Sequence, residues 1–170
     1  MATSSSDTIG AEFEYRPAWR RDDPQIEADA IDFWRRLAIL PPDVDPEKRA
    51  KELVAAAYKG GMLVAVTTGT LTRLEMLRAR FAMLRAAVDP TWRRSHAALG
   101  LAIYTRQLLE QWSLDHPEER VAGLAAIIEA PELVAREKQP FWPNTRFGLV
   151  GSTRQGRQIR VSCFEDFRLD

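Results

Sequence analysis

Apolar residues in the first third of the chain recur mostly at helical spacing. The pair Asp23-Pro24 marks a helix start, because an N-cap acceptor precedes a proline at the first helical position. Pro41-Pro42 ends this helix. Before it, the weakly alternating segment 12–19 predicts an edge strand, with Pro17 near its end. The apolar face of the helix consists of Ile26, Ala30, Phe33 and Leu37.

A second start signal, Asp45-Pro46, predicts another helix. Gly60-Gly61 ends it, as glycine commonly does after a helical C-terminus. Its apolar face consists of Leu53, Val54 and Ala57. The next segment, Met62–Thr67, is a short run rich in β-favouring residues and predicts a strand.

Residues 71–84 fit two patterns. Local propensity favours a helix, because Leu, Glu, Met, Arg and Ala are all good helix formers. The positions that fit a helix are Leu71, Leu74, Leu77, Phe81 and Leu84. The positions that alternate as in a strand are Glu75, Leu77, Ala79, Phe81 and Met83. Only the family resemblance described below selects two strands, at about 68–76 and 79–88.

The second half of the chain alternates between helix and strand patterns. Ser95 predicts the cap of a long helix, 96–112, which is apolar on two faces. The continuous apolar run Val121–Ile128 is typical of a buried central strand. The remaining predicted elements are a short helix from Pro131 to about Lys138, a loop at 139–145 rich in proline and aromatic residues, and a hairpin formed by Arg146–Ser152 and Gln158–Phe164 around a turn with Gly156.

Composition narrows the possible functions. The 24 basic and 24 acidic residues give a net charge of zero, so no overall field draws the chain to nucleic acid or to an anionic membrane. No apolar run approaches the roughly 18 residues of a membrane-spanning helix. Residues 1–10 indicate a short disordered tail and 11–170 a single domain. Cys163 is the only cysteine, so an internal disulfide is impossible and a cytoplasmic location is the default.

One segment, 86–99, carries a family resemblance. It reads Ala-Ala-Val-Asp-Pro-Thr-Trp-Arg-Arg-Ser-His-Ala-Ala-Leu. Val88, Pro90 and Arg93 match a pattern in which a strand ends in Val, x-Pro-x-x-Arg follows, and a glycine-rich turn opens a helix. Two later positions of that turn, usually glycine and glycine or alanine, are here His96 and Ala98. The segment resembles the coenzyme-binding turn of the GNAT superfamily, the acyl-coenzyme A (acyl-CoA)-dependent N-acyltransferases.

The resemblance implies a mixed α/β (α+β) fold. Its central sheet is mixed and mostly antiparallel, has about six to seven strands, and carries helices on both faces. The segment Phe147–Gly151 resembles the end of the sixth strand of that sheet, and the final hairpin fits its seventh.

Physical chemistry supports the resemblance at the same segment. A helix N-terminus offers unpaired N–H groups and a partial positive charge, which together suit a diphosphate. Small residues allow close approach of the backbone, and arginines add direct phosphate contacts. The alternative is a surface turn with solvated arginines. The predicted coenzyme-binding residues are Ala87, Val88, Arg93, Arg94, Ser95, His96, Ala97, Ala98 and Leu99.

The resemblance implies acyl transfer from acetyl-CoA or another acyl-CoA to a small-molecule or peptide amine. An amine must lose a proton before it attacks, and a carboxylate can accept that proton. Glu129, at the end of the central strand, and Glu75, on a strand facing the cleft, are the candidate bases. The tyrosine that family members use to protonate the thiolate is absent, since no tyrosine follows Tyr104.

Other side chains have weaker assignments. Ser162 and Cys163 on the last strand are possible replacements for the missing acid, although a buried structural role is the default for the cysteine. Trp142, on its loop, is a candidate for an acceptor pocket. His116 has no neighbouring Cys or His, so no metal site is expected.

Three hypotheses follow. The first is a GNAT-type acyltransferase, with a homodimer as one possible assembly. The second is a GNAT-fold module that binds acyl-CoA or a related ligand without turnover, which the missing tyrosine and His96 favour. The third is a mostly helical interaction protein, which the helical spacing of residues 71–84 favours.

Overall fold

The computed structural model describes residues 12–136 and 138–167, in which twelve regular elements follow one another. The predicted tail, 1–10, lies outside these residues. Short 3₁₀ turns occupy Glu75–Leu77, Pro90–Trp92 and Pro117–Glu119. The elements are β1 Glu14–Pro17, α1 Pro24–Leu37, α2 Pro46–Ala50, β2 Leu53–Lys59, β3 Met62–Leu74, β4 Ala79–Val88, α3 Ala97–Asp115, β5 Val121–Ile127, α4 Pro131–Arg136, β6 Phe141–Trp142, β7 Phe147–Ser152 and β8 Gln158–Cys163.

The eight strands form one mixed sheet in the order β1-β2-β3-β4-β5-β8-β7-β6. Strands β4 and β5 run parallel. The pairs β1–β2, β2–β3, β5–β8, β6–β7 and β7–β8 run antiparallel. The predicted mixed, mostly antiparallel sheet is therefore confirmed, with eight strands instead of six to seven.

The chain divides into two compact units. The first unit comprises the residues up to Thr68 together with Ala86–Thr105, and the second comprises Gly69–Arg85 and the residues from Arg106 onward. Among the described residues, no helix is both long and apolar enough to cross a membrane.

Helix α1 supplies one side of the core of the first unit. It begins as predicted, because the Asp23 carboxylate accepts hydrogen bonds from the N–H groups of Gln25 and Ile26 at 3.0 and 3.2 Å. It ends at Ala38, which adopts a left-handed conformation with φ 50°. Burial of each large apolar side chain contributes about 1.5–3 kcal/mol. The main members of this core are Ile26, Ala30, Phe33 and Trp34 of α1 with Leu53, Ala56, Tyr58, Leu63 and Val66 of β2 and β3.

The second predicted helix is wrong beyond Ala50. Residues 53–58 are all buried, so both faces of this segment are covered, and they form a strand. Gly60 and Gly61 adopt φ values of +56° and +78°, as a two-residue type I′ hairpin turn requires, and they do not end a helix. The run of alanines concealed the strand, because alanine favours helices when packing does not decide.

The strand assignment is confirmed for residues 71–74 and 79–84, whereas Glu75–Leu77 form a 3₁₀ turn, and the α-helical alternative is wrong. Strand β3 runs from Met62 to Leu74, so the predicted strands 62–67 and 68–76 are one strand. Strand β4 pairs with β5 from Arg80 opposite Val121 to Leu84 opposite Ala126. These long-range pairings outweigh the local helical propensity.

Strand β5 is central to the second unit, as its apolar run predicts, and Val121–Ala125 are buried. The C-terminal hairpin is confirmed, with Gly156 at φ +79° in its turn. The predicted loop 139–145 is wrong at Phe141–Trp142, which form the short strand β6 and pair with β7. Helix α3 matches its predicted position and extends to Asp115.

The close approach of β5 to β8 yields a stability prediction. A Cβ added at Gly123 would lie 2.2 Å from the Ser162 carbonyl oxygen and 2.7 Å from the Cys163 Cα, both backbone atoms. Gly123→Ala should therefore reduce the free energy of unfolding by about 1–3 kcal/mol, because the strands must separate. Urea denaturation measures this loss.

Gly148→Ala is the matched control. Its Cβ would lie 3.9 Å from Phe141 Cδ2 and 4.0 Å from the Val161 carbonyl oxygen, which are ordinary contacts. This variant should stay within about 0.5 kcal/mol of the parent. Equal losses in the two variants would contradict the steric argument.

Candidate functional site

The turn between β4 and α3 lies in the first unit and is built on Asp89. The Asp89 N–H donates to the Val64 carbonyl at 2.8 Å, which fixes the turn to β3. The Asp89 carbonyl accepts from the Trp92 N–H at 2.8 Å and closes the 3₁₀ turn. Both backbone groups of this residue are therefore used to shape the chain after β4.

The Asp89 side chain is equally engaged. Its Oδ1 accepts from the Thr91 N–H at 2.9 Å, and its Oδ2 accepts from Arg36 Nη1 at 2.8 Å. The residue is only 4% exposed. Burial raises the pKa of the carboxyl, but the hydrogen bonds from Thr91 and Arg36 outweigh it, so the pKa lies below its ordinary value. A charged carboxylate thus holds the turn at neutral pH.

Ser95 shapes the start of α3, as predicted. Its Oγ donates to the Trp92 carbonyl at 2.5 Å and accepts from the Ala97 N–H at 3.3 Å. The first helical hydrogen bond runs from the Gly100 N–H to the His96 carbonyl at 2.9 Å. Within the described residues, the N–H groups of Ala98 and Leu99 have no protein acceptor. They are the free donors of this helix end.

The predicted coenzyme-binding residues differ in exposure. Arg93 and Arg94 are exposed, and neither has an ion-pair partner in the part of the chain that the structure describes. His96 and Ala98 are also exposed, whereas Ala97 is fully buried and its N–H is used by Ser95. The partly buried members are Ala87, Val88, Ser95 and Leu99.

Trp92 fixes the turn from another side. Its ring meets that of Phe13 edge-to-face, with centroids 5.7 Å apart and the planes at 89°. Phe13, just before β1, is buried. The turn therefore has an aromatic contact in addition to its Asp89 hydrogen bonds.

Sequence reasoning missed the role of Asp89 and its partner Arg36. Asp89-Pro90 repeats the pattern of Asp23-Pro24 and Asp45-Pro46, in which the aspartate caps the following turn. That repetition was the available signal for Asp89. No sequence signal links Arg36 to it, because 53 positions separate the two residues.

The candidate bases both lie in the second unit and are exposed. Glu129 stands two residues beyond the end of β5, and its carboxylate accepts from Arg157 Nη1 at 2.9 Å. Glu75 does not lie on a strand facing a cleft, as predicted, but in the 3₁₀ turn after β3. It forms an ion pair with Arg73 at 3.1 Å. The strand placement of Glu75 is wrong because β3 ends at Leu74.

The two candidate acids on β8 differ sharply. Ser162 is fully buried, accepts from Arg106 Nε at 3.1 Å and donates to the Thr145 carbonyl at 3.0 Å. Its hydroxyl proton is thereby used. Cys163 is exposed, so its predicted buried structural role is wrong. Although the residue is exposed overall, local desolvation of the sulfur raises the pKa of the Cys163 thiol, and the thiol stays protonated at neutral pH.

Trp142 lies on β6 and not in a loop. The Arg160 guanidinium stacks over its ring at 3.8 Å from the centroid. Arg160 is fully buried and also donates to the carbonyls of Gln139 and Pro140 at 2.8 and 3.3 Å. One face of Trp142 is therefore covered, and the buried arginine fixes the segment that carries it.

The described residues contain no group of three or more His, Cys, Asp or Glu side chains placed to hold a metal ion. His116 instead stacks on Trp112, with ring centroids 4.7 Å apart. One of its ring nitrogens lies 2.9 Å from the Trp112 carbonyl oxygen. The histidine thus has a packing role at the end of α3.

Solved structures similar to this chain include acetyltransferases. The acetyltransferase of the GNAT family from Streptococcus pneumoniae is 13% identical, with a TM-score of 0.59, and the match covers 90% of this chain and 99% of that one. The ribosomal-protein-S5-alanine acetyltransferase from Vibrio fischeri is 9% identical, with a TM-score of 0.59, over 92% and 96% of the two chains. The chain has the GNAT fold.

A third structure with the GNAT fold contains a ligand. It is a mutant of the AtaT toxin bound to the C-terminus of the antitoxin AtaR and acetyl-CoA; it is 10% identical, with a TM-score of 0.55, over 89% of this chain and 94% of that one. No protein-family model and no curated protein matches the sequence. The fold that the resemblance implied is thus confirmed, and the hypothesis of a mostly helical protein is wrong.

The lowered pKa of Asp89 yields a pH prediction. Because its folded pKa lies below the unfolded value, its contribution to stability is complete above about pH 3.9 and is lost as the pH falls through the folded pKa. Asp89→Asn should lower the free energy of unfolding at pH 7 by about 1–2 kcal/mol, since the half-exposed Arg36 is partly screened. The difference from the parent should shrink as the pH falls below about 4.

Urea denaturation at several pH values measures this difference. Asp43→Asn is the control, because Asp43 is exposed and has no side-chain partner within the described residues. It should show little change at any pH. A loss in Asp89→Asn that persists unchanged at acid pH would show that the charge of the carboxylate is not what stabilises the turn.

Proposed function

We propose that the chain is an acyl-CoA-dependent N-acyltransferase that moves an acetyl or other acyl group to the amine of a small molecule or peptide. The β4–α3 turn carries this proposal. It combines two free N–H donors, of Ala98 and Leu99, with two exposed arginines, Arg93 and Arg94, that have no ion-pair partner among the described residues. The GNAT fold and a neighbour whose structure contains acetyl-CoA support it.

The diphosphate of the coenzyme is the part that suits this turn. Free N–H groups at the start of the 19-residue helix α3 and the helix dipole favour an anion. Arg93 and Arg94 can add charge-assisted hydrogen bonds. The exposed methyl group of Ala98 leaves the backbone accessible. His96, which replaces the usual glycine, is exposed and available to donate from the same turn.

The end of β4 suits the pantetheine arm. The ladder between β4 and β5 ends with Leu84 opposite Ala126, but β4 continues to Val88. Amide groups of an extended ligand can pair with the backbone of Ala87 and Val88 beyond that last pair. The strand then leads the ligand from its arm to the diphosphate turn.

For the chemistry, Glu129 is the preferred base. It lies two residues beyond the end of β5, and its exposed carboxylate can receive a proton from an amine, through water or directly. Glu75 is the second candidate, weakened by its place in an exposed turn. Neither β8 residue suits the role of acid, because the Ser162 proton already has an acceptor and Cys163 pairs with Gly123, at the opposite end of β5 from Glu129.

The alternative function is a module that binds acyl-CoA without turnover. It is favoured by the lack of a tyrosine after Tyr104. It is also favoured by the carboxylates themselves, because Glu129 and Glu75 are each ion-paired with an arginine. Both functions require coenzyme binding, and only turnover separates them.

Binding is tested first. Acetyl-CoA at 100 times its dissociation constant should stabilise the fold by about 2.7 kcal/mol, and the melting temperature should rise by roughly 5–10 °C. The double variant Arg93→Ala, Arg94→Ala should lose at least about tenfold in affinity, because each charge-assisted hydrogen bond contributes about 1.5–3 kcal/mol before screening. Calorimetric titration measures the affinity.

The control for this variant is Arg35→Ala, Arg154→Ala. These arginines are exposed, have no side-chain partner within the described residues, and change the net charge equally. This control should bind acetyl-CoA like the parent. No thermal shift at millimolar acetyl-CoA would refute both the enzyme and the binding module, and equal affinities in the two double variants would show that Arg93 and Arg94 are only solvated.

Turnover is tested by the release of free coenzyme thiol across a panel of amines. Glu129→Gln should lower the amine-dependent rate by about 10²–10⁴, because loss of a general base has that effect, while acetyl-CoA affinity stays normal. Glu75→Gln should have the smaller effect. Arg157→Gln is the matched control, since it breaks the same ion pair and keeps the carboxylate.

Two outcomes would change the proposal. Normal rates in both glutamine variants would exclude these carboxylates as bases and leave the enzyme intact. Acetyl-CoA binding by the parent without amine-dependent release across the panel would favour the binding module.

A further inference from the structure

Asp89 presents an electrostatic problem for the proposed diphosphate site. It is an acidic residue in the same turn that offers the arginines Arg93 and Arg94 and the free N–H groups. Its carboxylate makes structural contacts that no neutral apolar residue would replace, since Oδ1 caps Thr91. At the same time, a negative charge beside a bound diphosphate opposes binding. The turn is stabilised by the charged side chain, and a diphosphate bound there requires that this charge be compensated.

Arg36, which lies outside the turn, forms an ion pair with the Asp89 carboxylate. Its Nη1 lies 2.8 Å from Asp89 Oδ2, on the side of the carboxylate that Thr91 does not use. The aspartate side chain is 5% exposed and the arginine side chain 46%, so the carboxylate is buried and the guanidinium is partly in contact with solvent. The arginine therefore both neutralises the carboxylate and shields it.

The packing of the first unit holds Arg36 in this place. It lies in the last turn of α1, next to the buried Trp34 and Phe33, and its guanidinium is 5.8 Å from the centre of the Phe33 ring. Ala87, two residues before Asp89, packs against the same apolar core as these aromatic residues. The two ends of the ion pair are thus attached to one core, and its geometry does not depend on a flexible loop.

We propose that Arg36 is a positioning residue for coenzyme binding, because it neutralises Asp89 and so lets an aspartate-capped turn accept a diphosphate. This inference rests on the proposed function. Arg36 acts through Asp89 and does not contact the ligand. Two consequences distinguish this role from its alternatives. If Arg36 acts only by neutralising Asp89, its removal has no effect on binding once Asp89 has lost its charge, whereas a direct phosphate contact would still be lost. The effect of removing Arg36 also depends on salt, whereas a purely structural effect does not.

The test is a double-mutant cycle with coenzyme A as the titrated probe. Arg36→Gln should weaken binding about tenfold or more, because the Asp89 charge is then uncompensated. Asp89→Asn is less stable than the parent, but its folded form should bind at least as well, since asparagine keeps the oxygen that caps Thr91 and carries no charge. The double variant Arg36→Gln, Asp89→Asn should match Asp89→Asn within about threefold, and calorimetric titration measures all four proteins.

Salt gives the second readout. Salt screens charge repulsion, over about 10 Å at 0.1 M and 3 Å at 1 M, and it screens a charge as buried as that of Asp89 less than an exposed one. The affinity ratio of the parent to Arg36→Gln should therefore fall as salt rises, whereas a loss caused by altered packing would not change. Arg35→Gln, the neighbouring exposed arginine of α1, is the control and should bind like the parent.

Each result has one meaning. Parent-like binding by Arg36→Gln, a salt-independent loss, or a double variant as weak as Arg36→Gln would overturn the inference, the last because it indicates direct contact with the ligand. If Arg36→Gln does not fold, Arg36→Lys replaces it and should bind within about threefold of the parent. The affinities of the double variant and of Asp89→Asn are then compared: equal affinities support neutralisation, and weaker binding by the double variant indicates direct contact. Absence of coenzyme A binding by the parent would refute the proposed function itself, and the inference with it.

Discussion

Buried backbone groups need hydrogen-bond partners, and this constraint decides most of the structure. Where both faces of a segment are covered, as at residues 53–58, the groups pair along the sheet. At the start of α1, of α2 and of the 3₁₀ turn Pro90–Trp92, an aspartate side chain supplies the acceptor; these are Asp23, Asp45 and Asp89. At the start of α3, the N–H groups of Ala98 and Leu99 have no acceptor within the described residues.

The constraint also explains what sequence patterns predicted and what they missed. Elements with a local sequence signal were predictable. These are α1, from its N-cap aspartate and apolar face, β5, from its continuous apolar run, and the last hairpin, from its turn. Strand β2 was not, because its alanines have a helical preference that only burial on both faces reverses. The strands β3 and β4 were selected by the family resemblance and not by local pattern, since their pairing partners are distant in sequence.

In the candidate site, too, residues with a local sequence signal were predictable and residues that depend on distant partners were not. The spacing of residues 86–99 was recognisable in the sequence, and the fold that it implied is confirmed. The role of Arg36 could not be predicted from the sequence, because its ion pair with Asp89 forms only after α1 and the end of β4 have packed on one core. The roles of Glu129, Glu75 and the coenzyme-binding residues stay predictions, as does the single domain over 11–170.

The two edge strands of the sheet affect how readily one molecule associates with another at high concentration. Strand β1 has only four residues and ends in Pro17, while β6 has only two and stands between Pro140 and Pro143. Proline has no N–H to offer, and so short a strand presents few backbone groups to another chain. Within the described residues, β1 and β6 are therefore poor templates for extension by a second molecule. Self-association through continued β-pairing, the first step toward fibrils, is disfavoured at these two strands.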